Sequence, residues 1–470
     1  MRVYSFPKGG IVFNDAFAPG KQESVLSFLP GISIIVLRSF SGNSSYPVVQ
    51  NGSRVEEGML IARRQGCGSA NIHSPIPGRV IRTFTWKLAE NTFSSAIAIQ
   101  LEGKFERLGR IETERQWQEL SQFQLRSILD KNGLVEMEGE GKPLCDRFTS
   151  YDTVYNEFSL ALRCVFDDPW LAADYCICKE RTKEVALGCV ITAKAAGAKD
   201  ICIAVSKNDE DIAQAIYSEI EAIGFTAVIT ILSSKYPQHS NKQIEDSLGI
   251  KEELYKTGGR PLMIIGPQTA SAVYDAVVFN KPVTDRYVAV GGNAVQTPRV
   301  LKVRIGSRIG DVFKECGGFI KEPDSLVMGS PLMGRNAASL NEPILKCSGV
   351  VYASYDSRST KIIKKIKSKL NLDTYGHTKC IGCGECRRVC PASLDPEELY
   401  KRKRNNKHQD TIIPLLMKCN GCGCCESVCP SRLLLCTAIV RPVFATYSTL
   451  DDFDKNWENN HDLGESNYAF

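Results

Sequence analysis

The chain has 470 residues and 51.9 kDa, too long for one ordinary domain and enough for roughly three or four. Hydrophobic residues at 43% and charged residues at 24% exclude a disordered chain, and a net charge of +5 is too mild to indicate nucleic acid by itself. The longest apolar stretch, residues 31–37, is far short of the ~20 residues of a spanning helix, and the start MRVYSFPKGGIVF lacks the apolar core of a signal peptide, so any membrane role is expected to be peripheral.

Residues 1–110 read as all-β. Short apolar runs at 32–37, 80–84 and 96–101 are separated by Gly, Pro, Asn and Ser. Val55-Glu-Glu-Gly58-Met-Leu-Ile61-Ala62 and Ile72-His-Ser-Pro75-Ile-Pro-Gly78-Arg-Val80 look like two halves of a lipoyl-like barrel-sandwich hybrid. A carrier of that shape needs a Lys at a hairpin tip. The link Arg63-Arg-Gln-Gly-Cys-Gly-Ser-Ala-Asn71 has none, so the shape is expected without a covalent cofactor. His73 sits among strand and turn residues and is read as packing rather than as a ligand.

From 115 to 285 helix and strand patterns alternate. Helices are expected at 184–196, 209–223 and 270–279, the first two closed by Gly197 and Gly224, with strands at 200–205, 226–232 and 261–265. Such alternation predicts a parallel sheet with crossover helices, a scaffold that binds nucleotides beyond its strand C-termini. Gly133-Leu-Val-Glu-Met-Glu-Gly-Glu-Gly141 has the outline of a phosphate-cradling loop, but Glu136, Glu138, Glu140 and Asp146 oppose a phosphate there. Residues 286–355 read as a β-grasp domain: a strand at 287–291, a helix running to Cys316, then Gly317-Gly318 and Gly329-Ser-Pro-Leu-Met-Gly334. A Lys-rich surface helix at 360–370 would lead onward.

Cysteine is the outlier. Of 19 cysteines, ten fall within residues 380–436, a clustering that points to metal rather than to a disulfide scaffold. Cys380-Ile-Gly-Cys383-Gly-Glu-Cys386-Arg-Arg-Val-Cys390-Pro391 recurs as Cys419-Asn-Gly-Cys422-Gly-Cys424-Cys425-Glu-Ser-Val-Cys429-Pro430. Both match C-x2-C-x2-C-x3-C-P, the two-cluster ferredoxin run, in which the fourth Cys serves the other cluster. Cluster one is therefore assigned to Cys380, Cys383, Cys386 and Cys429, and cluster two to Cys419, Cys422, Cys425 and Cys390. Two zinc sites are the alternative, but zinc usually takes paired CxxC units. Cys424 would change the spacing and is rejected as a ligand. Cysteines 67, 145, 164, 176, 178, 189, 202, 316, 347 and 436 are read as small buried hydrophobes. The basic stretch Tyr400-Lys-Arg-Lys-Arg-Asn-Asn-Lys407 is either a solvated insertion or a dock for an acidic redox partner or anionic lipid. Residues 441–470 form an acidic tail.

Taken in order, these pieces resemble one family along nearly the whole chain: the C subunit of the Rnf ion-translocating electron transport complex. The hybrid-barrel motifs, Lys235-Tyr-Pro-Gln238, residues 286–292, Gly329–Gly334 and the two ferredoxin runs carry the resemblance. The nearest relative to exclude is the cobalamin reductase of microcompartments, expected to carry its barrel elsewhere in the chain. The resemblance implies a multidomain α/β plus β fold. Its parts are a barrel-sandwich hybrid (1–110), a complex-I 51-kDa-like α/β flavin-type domain (115–285), a soluble-ligand-binding (SLBB-like) β-grasp (286–355) and a two-[4Fe–4S] ferredoxin domain (356–440). It also implies a peripheral subunit on the cytoplasmic face of the bacterial inner membrane, bound to other Rnf membrane subunits. That complex couples electron transfer to Na⁺ or H⁺ movement.

In the family, FMN takes a hydride from NADH and the clusters relay single electrons. Gly133, Gly139, Gly141 and Asp168 are the positions here that would hold FMN. The chain departs from the family at this pocket. Two loop glycines have become acids and a Phe has become Lys142; the family's E-C-E-P reads Phe166-Asp-Asp168-Pro169; its N-V-x-T reads Gly266-Pro-Gln-Thr269. A carboxylate repels phosphate and occupies the space glycine leaves open. The expectation is therefore an electron relay fed by a protein donor such as ferredoxin or flavodoxin. The alternatives are an FMN-dependent NADH-oxidising subunit and a soluble scaffold with structural clusters.

Overall fold

The structure, a computed structural model, describes residues 2–38, 43–87, 93–103, 111, 113–249, 260–356, 380–404, 415–416 and 418–440. The expected surface helix at 360–370, the end of the basic stretch at 405–407 and the acidic tail at 441–470 lie outside them.

Residues 32–101 form two facing sheets. A four-stranded sheet takes Ile32–Val36, Phe93–Leu101, Gly78–Lys87 and Arg54–Val55 in that order, and a three-stranded one takes Tyr46–Pro47, Leu60–Arg63 and Ile72–His73. Alternate apolar residues meet between them, with Ile35, Leu37, Val55, Ile61, Ile76, Val80, Ile97 and Ile99 buried. This is a barrel-sandwich. His73 is buried in it, and that burial pushes its imidazole down to about 3, so it is neutral packing.

The central domain is a five-stranded parallel sheet in the order Val3–Tyr4, Ala227–Leu232, Ile201–Ser206, Ser159–Cys164, Leu262–Ile265. Helices Thr182–Ala196, Glu210–Glu221 and Pro267–Phe279 arise where the sequence pattern places them. Gly197 ends the first in the left-handed conformation at φ 86°, which glycine adopts without a Cβ penalty. The central strand Ser159–Cys164 had no signal of its own in the helix–strand reading. The chain runs outward from it to one side and then returns to Leu262–Ile265 on the other. The strand order therefore reverses beside Ser159–Cys164, where a nucleotide-binding crevice would open.

Residues 285–354 build a mixed sheet in the order Arg335–Asn336, Ser325–Met328, Val350–Ser354, Asp285–Gly291, Arg299–Arg304, Val25–Leu26, with helix Ile309–Glu315 packed on it. The first residues of the chain differ from expectation. Val3–Tyr4 extends the central parallel sheet and Val25–Leu26 edges the β-grasp sheet, so this stretch serves its neighbours and not the barrel. Two-residue strands are too short to show an alternation, and the sheet edges that recruit them are invisible in sequence.

A buried ion network fastens the three units. Lys281 reaches Asp275 and Asp285 at 3.0 Å each, Arg181 holds Asp275 at 2.6 Å, and Arg304 bridges Asp285 at 3.7 Å to Glu57 of the barrel at 2.9 Å. Burial opposes ionisation of Asp275 and Asp285, but Lys281 facing both overrides it and both titrate below the usual carboxylate range. Their stabilisation is fully present above the unfolded carboxyl value of about 4 and is lost as pH falls through the folded values. Lys281→Met is expected to cost about 3 kcal/mol in denaturant titration, the lower end for breaking a buried pair, because Arg181 and Arg304 still face the two carboxylates it leaves. The same titration repeated from pH 6 downward should show a shallower acid-side loss for the variant than for the parent.

Candidate functional site

The two cysteine runs fold as a repeated unit. Gly382 and Gly384 (φ 70° and 75°) turn the first loop, and Gly421 and Gly423 (φ 68° and 75°) turn the second. Short helices Glu385–Arg388 and Cys424–Ser427 follow, and Ser393 and Arg432 take matching left-handed positions after each Cys-Pro. Helices Pro396–Arg404 and Leu435–Val440 complete the repeats.

The repeats exchange their fourth cysteine. Cys380, Cys383, Cys386 and Cys429 line one pocket of about 320 Å³, and Cys390, Cys419, Cys422 and Cys425 line another of about 350 Å³. Apolar side chains complete both walls, with Leu433 and Leu435 in the first and Leu394, Leu399 and Ile439 in the second. Backbone N–H groups point at sulfur in each: Gly382 to Cys380 (3.4 Å), Leu394 to Cys390 (3.3 Å) and Leu433 to Cys429 (3.4 Å). Such donors tune a cluster's potential. Among the described residues no three His, Cys, Asp or Glu side chains converge on a single-ion geometry. A zinc site gathers its ligands on one ion, whereas a cubane holds four thiolates on separate irons in the C-x2-C-x2-C-x3-C-P pattern seen here. Cys424 is in neither pocket's lining; it is fully buried in a cluster with Cys422, Tyr236, Val389 and Leu332.

The two pockets face different surroundings. Cys380 and Cys383 are exposed, and Ile381 between them is 69% exposed. The second pocket is pressed against the rest of the protein. The Tyr236 hydroxyl donates to the Cys422 carbonyl (2.7 Å), the Gly10 N–H donates to the Val389 carbonyl (2.9 Å), and Asn420 donates to Gln243 (2.6 Å). Gly9 and Gly423 permit this approach: a Cβ would lie 2.5 Å from the Cys390 carbonyl carbon at Gly9 and 2.6 Å from the Leu332 carbonyl oxygen at Gly423. In the basic helix, Lys401 and Arg402 pair with Glu397 and Glu398 one turn back (2.6 Å each), so part of its charge is neutralised locally.

The flavin-type crevice is filled from within. Glu138 is half-buried as a residue, but its carboxylate turns inward onto the N-terminus of helix Pro267–Phe279. There it accepts from the Thr269 N–H (2.9 Å) and the Thr269 hydroxyl. The Met137 N–H in turn donates to the Thr269 hydroxyl (2.9 Å). A helix N-terminus is where a phosphate would dock, and here an internal carboxylate takes the place. Burial and the neighbouring Asp174 push its pKa up. A Cβ at Gly266 would lie 2.2 Å from the Glu138 carboxyl carbon. The loss of the family's Asn at 266 and the gain of Glu138 therefore belong together.

The other expected flavin positions are likewise occupied with structural tasks. A Cβ at Gly133 would meet the Asn71 carbonyl at 2.0 Å, and one at Gly139 would meet the Glu136 carboxylate at 2.6 Å. Gly141 turns the chain at φ 73°. Asp168 caps the Pro169–Leu171 turn by accepting from Trp170 N–H (2.9 Å), and burial pushes its carboxyl up. Beside it Asp167 accepts from the ring and backbone of His239 (2.9 and 3.1 Å). Burial works against the His239 charge, but Asp167 outweighs it and raises the pKa. Arg163 and Gln268 both hold Asp174 (3.3 and 2.9 Å). Sequence reasoning flagged the acidic loop but missed Thr269 as Glu138's partner, and missed Asp167–His239, because these pairs join distant segments. Glu138 thus occupies the helix N-terminus where an FMN phosphate would dock.

Two crossed cysteine quartets on a barrel-sandwich, flavin-type and β-grasp scaffold define a two-[4Fe–4S] electron-transfer protein. Family models match in the same order: the RnfC barrel sandwich hybrid domain over 6–104, the Nuo51 FMN-binding domain over 129–276, the SLBB domain over 287–336 and a 4Fe-4S dicluster domain over 379–433. The chain is 28% identical over 388 residues to the C subunit of the proton-translocating ferredoxin:NAD(+) oxidoreductase complex of Clostridium ljungdahlii, covering 81% of this chain and 80% of that one. It is 29% identical to the C subunit of the ion-translocating oxidoreductase complex of Rhodobacter capsulatus, over 80% of this chain and 70% of the relative. With the C subunit of the Na(+)-translocating ferredoxin:NAD(+) oxidoreductase complex of Acetobacterium woodii it shares 24% identity over 85% and 87% of the two chains. The chain is thus similar to Rnf C subunits over about four-fifths of its length, and its first domain matches the RnfC barrel sandwich hybrid model.

Tyr236→Phe probes the docked face with little other change, because it keeps the ring and deletes the donor to the Cys422 carbonyl. The expected loss is about 1–3 kcal/mol, read as a lower melting temperature and faster protease cleavage of the cysteine-rich unit.

Proposed function

We propose that this chain is the peripheral iron–sulfur subunit of an Rnf-type membrane complex and relays single electrons from a protein donor, ferredoxin or flavodoxin, while the complex moves Na⁺ or H⁺. The carrying observation is the pairing of two complete cysteine quartets with a crevice stoppered by Glu138. Clusters of the [4Fe–4S] type, when bound, supply one-electron redox chemistry. Cys380, Cys383, Cys386 and Cys429 would hold the outer one, and Cys419, Cys422, Cys425 and Cys390 the inner one.

The protein's own residues set the route. Exposed Cys380, Ile381 and Cys383 leave the outer site open to a docking carrier, while N–H donors at both quartets stabilise thiolate charge and apolar side chains line both pockets. Tyr236, Gly9 and Leu332 press the inner site against the flavin-type and β-grasp domains. No helix among the described residues is long and apolar enough to cross a membrane, and a place on the cytoplasmic face, held by the other Rnf subunits, accords with this reading.

An anaerobic titration tests the proposal. In the reconstituted protein with FMN added, NADH should leave the visible iron–sulfur band unchanged, while reduced ferredoxin or dithionite should bleach it. Rapid bleaching by NADH would overturn the relay reading in favour of an FMN-dependent NADH-oxidising subunit. Glu138→Gly should free the helix N-terminus and tighten FMN binding by about tenfold or more, followed by quenching of flavin fluorescence.

The cysteine assignment has its own test. Cys386→Ser should lower iron about twofold and remove the outer cluster, and Cys424→Ser should keep the full complement. Loss of iron in Cys424→Ser would show that the quartets are wrongly drawn.

A further inference from the structure

The second pocket contains five thiols. Cys436, on helix Leu435–Val440, lines it beside Cys390, Cys419, Cys422 and Cys425. It shares that wall with Cys419 and Cys425. The residue is 7% exposed and packs with Cys386 and Cys425, so no solvent path competes for the thiol. Nothing comparable occurs at the first pocket, whose wall carries only its four cysteines. Cys436 packs with Leu433, Leu435, Cys386 and Cys425 and also lines the pocket the inner cluster would fill.

We propose that Cys436 is a stand-by ligand of the inner cluster, able to replace Cys419 on its iron. The exchange is redox-neutral. The Fe–S bond to Cys419 breaks as the bond to Cys436 forms, and the Cys436 thiol gives up its proton while Cys419 takes one. Little movement is required, because both side chains line the same pocket. An inner cluster that keeps four thiolates after losing one ligand avoids shedding iron, which suits the site enclosed by the docked body. The first ligand of the second run is the one so protected, since Cys436 follows that run by less than two helical turns and folds back on its opening loop.

The inference rests on the two-cluster reading, and a parent protein that fails to bind two clusters would defeat that reading before this one is reached. The experiment compares Cys419→Ala, Cys436→Ala and the double variant, each reconstituted anaerobically as the full chain. Iron and sulfide per chain and the low-temperature EPR of the dithionite-reduced protein are measured. Cys436→Ala should retain the parent's iron. Cys419→Ala should also retain it, with shifted g-values for one cluster, and the double variant should lose about half of it.

Loss of half the iron in Cys419→Ala alone overturns the proposal, whatever the double variant does. Full iron in the double variant overturns it too, since another group would then be holding the cluster. Iron loss in Cys436→Ala would make Cys436 an obligatory ligand and likewise overturn the stand-by role. The outer cluster's EPR signal, unchanged throughout, shows that each variant has folded.

Discussion

Cys390 and Cys429 each leave the repeat that carries them and enter the pocket of the other. Neither pocket is complete without both halves, so the two repeats must fold against each other before either quartet exists. The left-handed turns at Ser393 and Arg432 and the N–H donors of Leu394 and Leu433 fix where those two sulfurs point. Metal binding in such a site is coupled to folding, because no quartet is preformed in the open chain. The crossing also sets the two pockets side by side, which is what a one-electron relay needs.

The flavin-type domain keeps its parallel sheet and its strand-order reversal while the crevice at that reversal is stoppered. Glu138 does this with a single carboxylate. It answers the free N–H of Thr269 and the partial positive charge of the helix N-terminus, the same two attractions that would draw a phosphate. Gly266 leaves the room for it. Acids in the loop therefore do more than repel an incoming anion: one of them is already bound in its place. The surrounding Asp167–His239 and Arg163–Asp174–Gln268 contacts pair most of the neighbouring buried polar groups.

The opening segment ties the units together. Val3–Tyr4 joins the central sheet, Gly9 and Gly10 lie along the backbone at Val389 and Cys390, and Val25–Leu26 joins the β-grasp sheet. The inner quartet is consequently held against the body of the protein, and the outer quartet is left facing outward. This asymmetry separates the roles of two sites whose sequences are nearly the same.

Much of the molecule was legible in sequence because the signals are local. The two C-x2-C-x2-C-x3-C-P runs set which cysteines can reach a common pocket, and Gly197 marks its helix end because glycine turns there without strain. The alternation of apolar runs announced the parallel sheet, and the acidic loop announced trouble for a phosphate. What the tertiary structure alone decided are contacts between distant segments. Glu138 finds Thr269, Tyr236 finds Cys422, and Val3–Tyr4 finds an open sheet edge. Cys424 and Cys436 show the division most directly. In sequence both are extra cysteines near the second run, yet one packs beside Tyr236 and Cys422 outside the pocket lining and the other lines the inner pocket. Spacing along the chain determines which residues are neighbours within a loop or helix turn; which face is buried, and against what, follows only when the units pack.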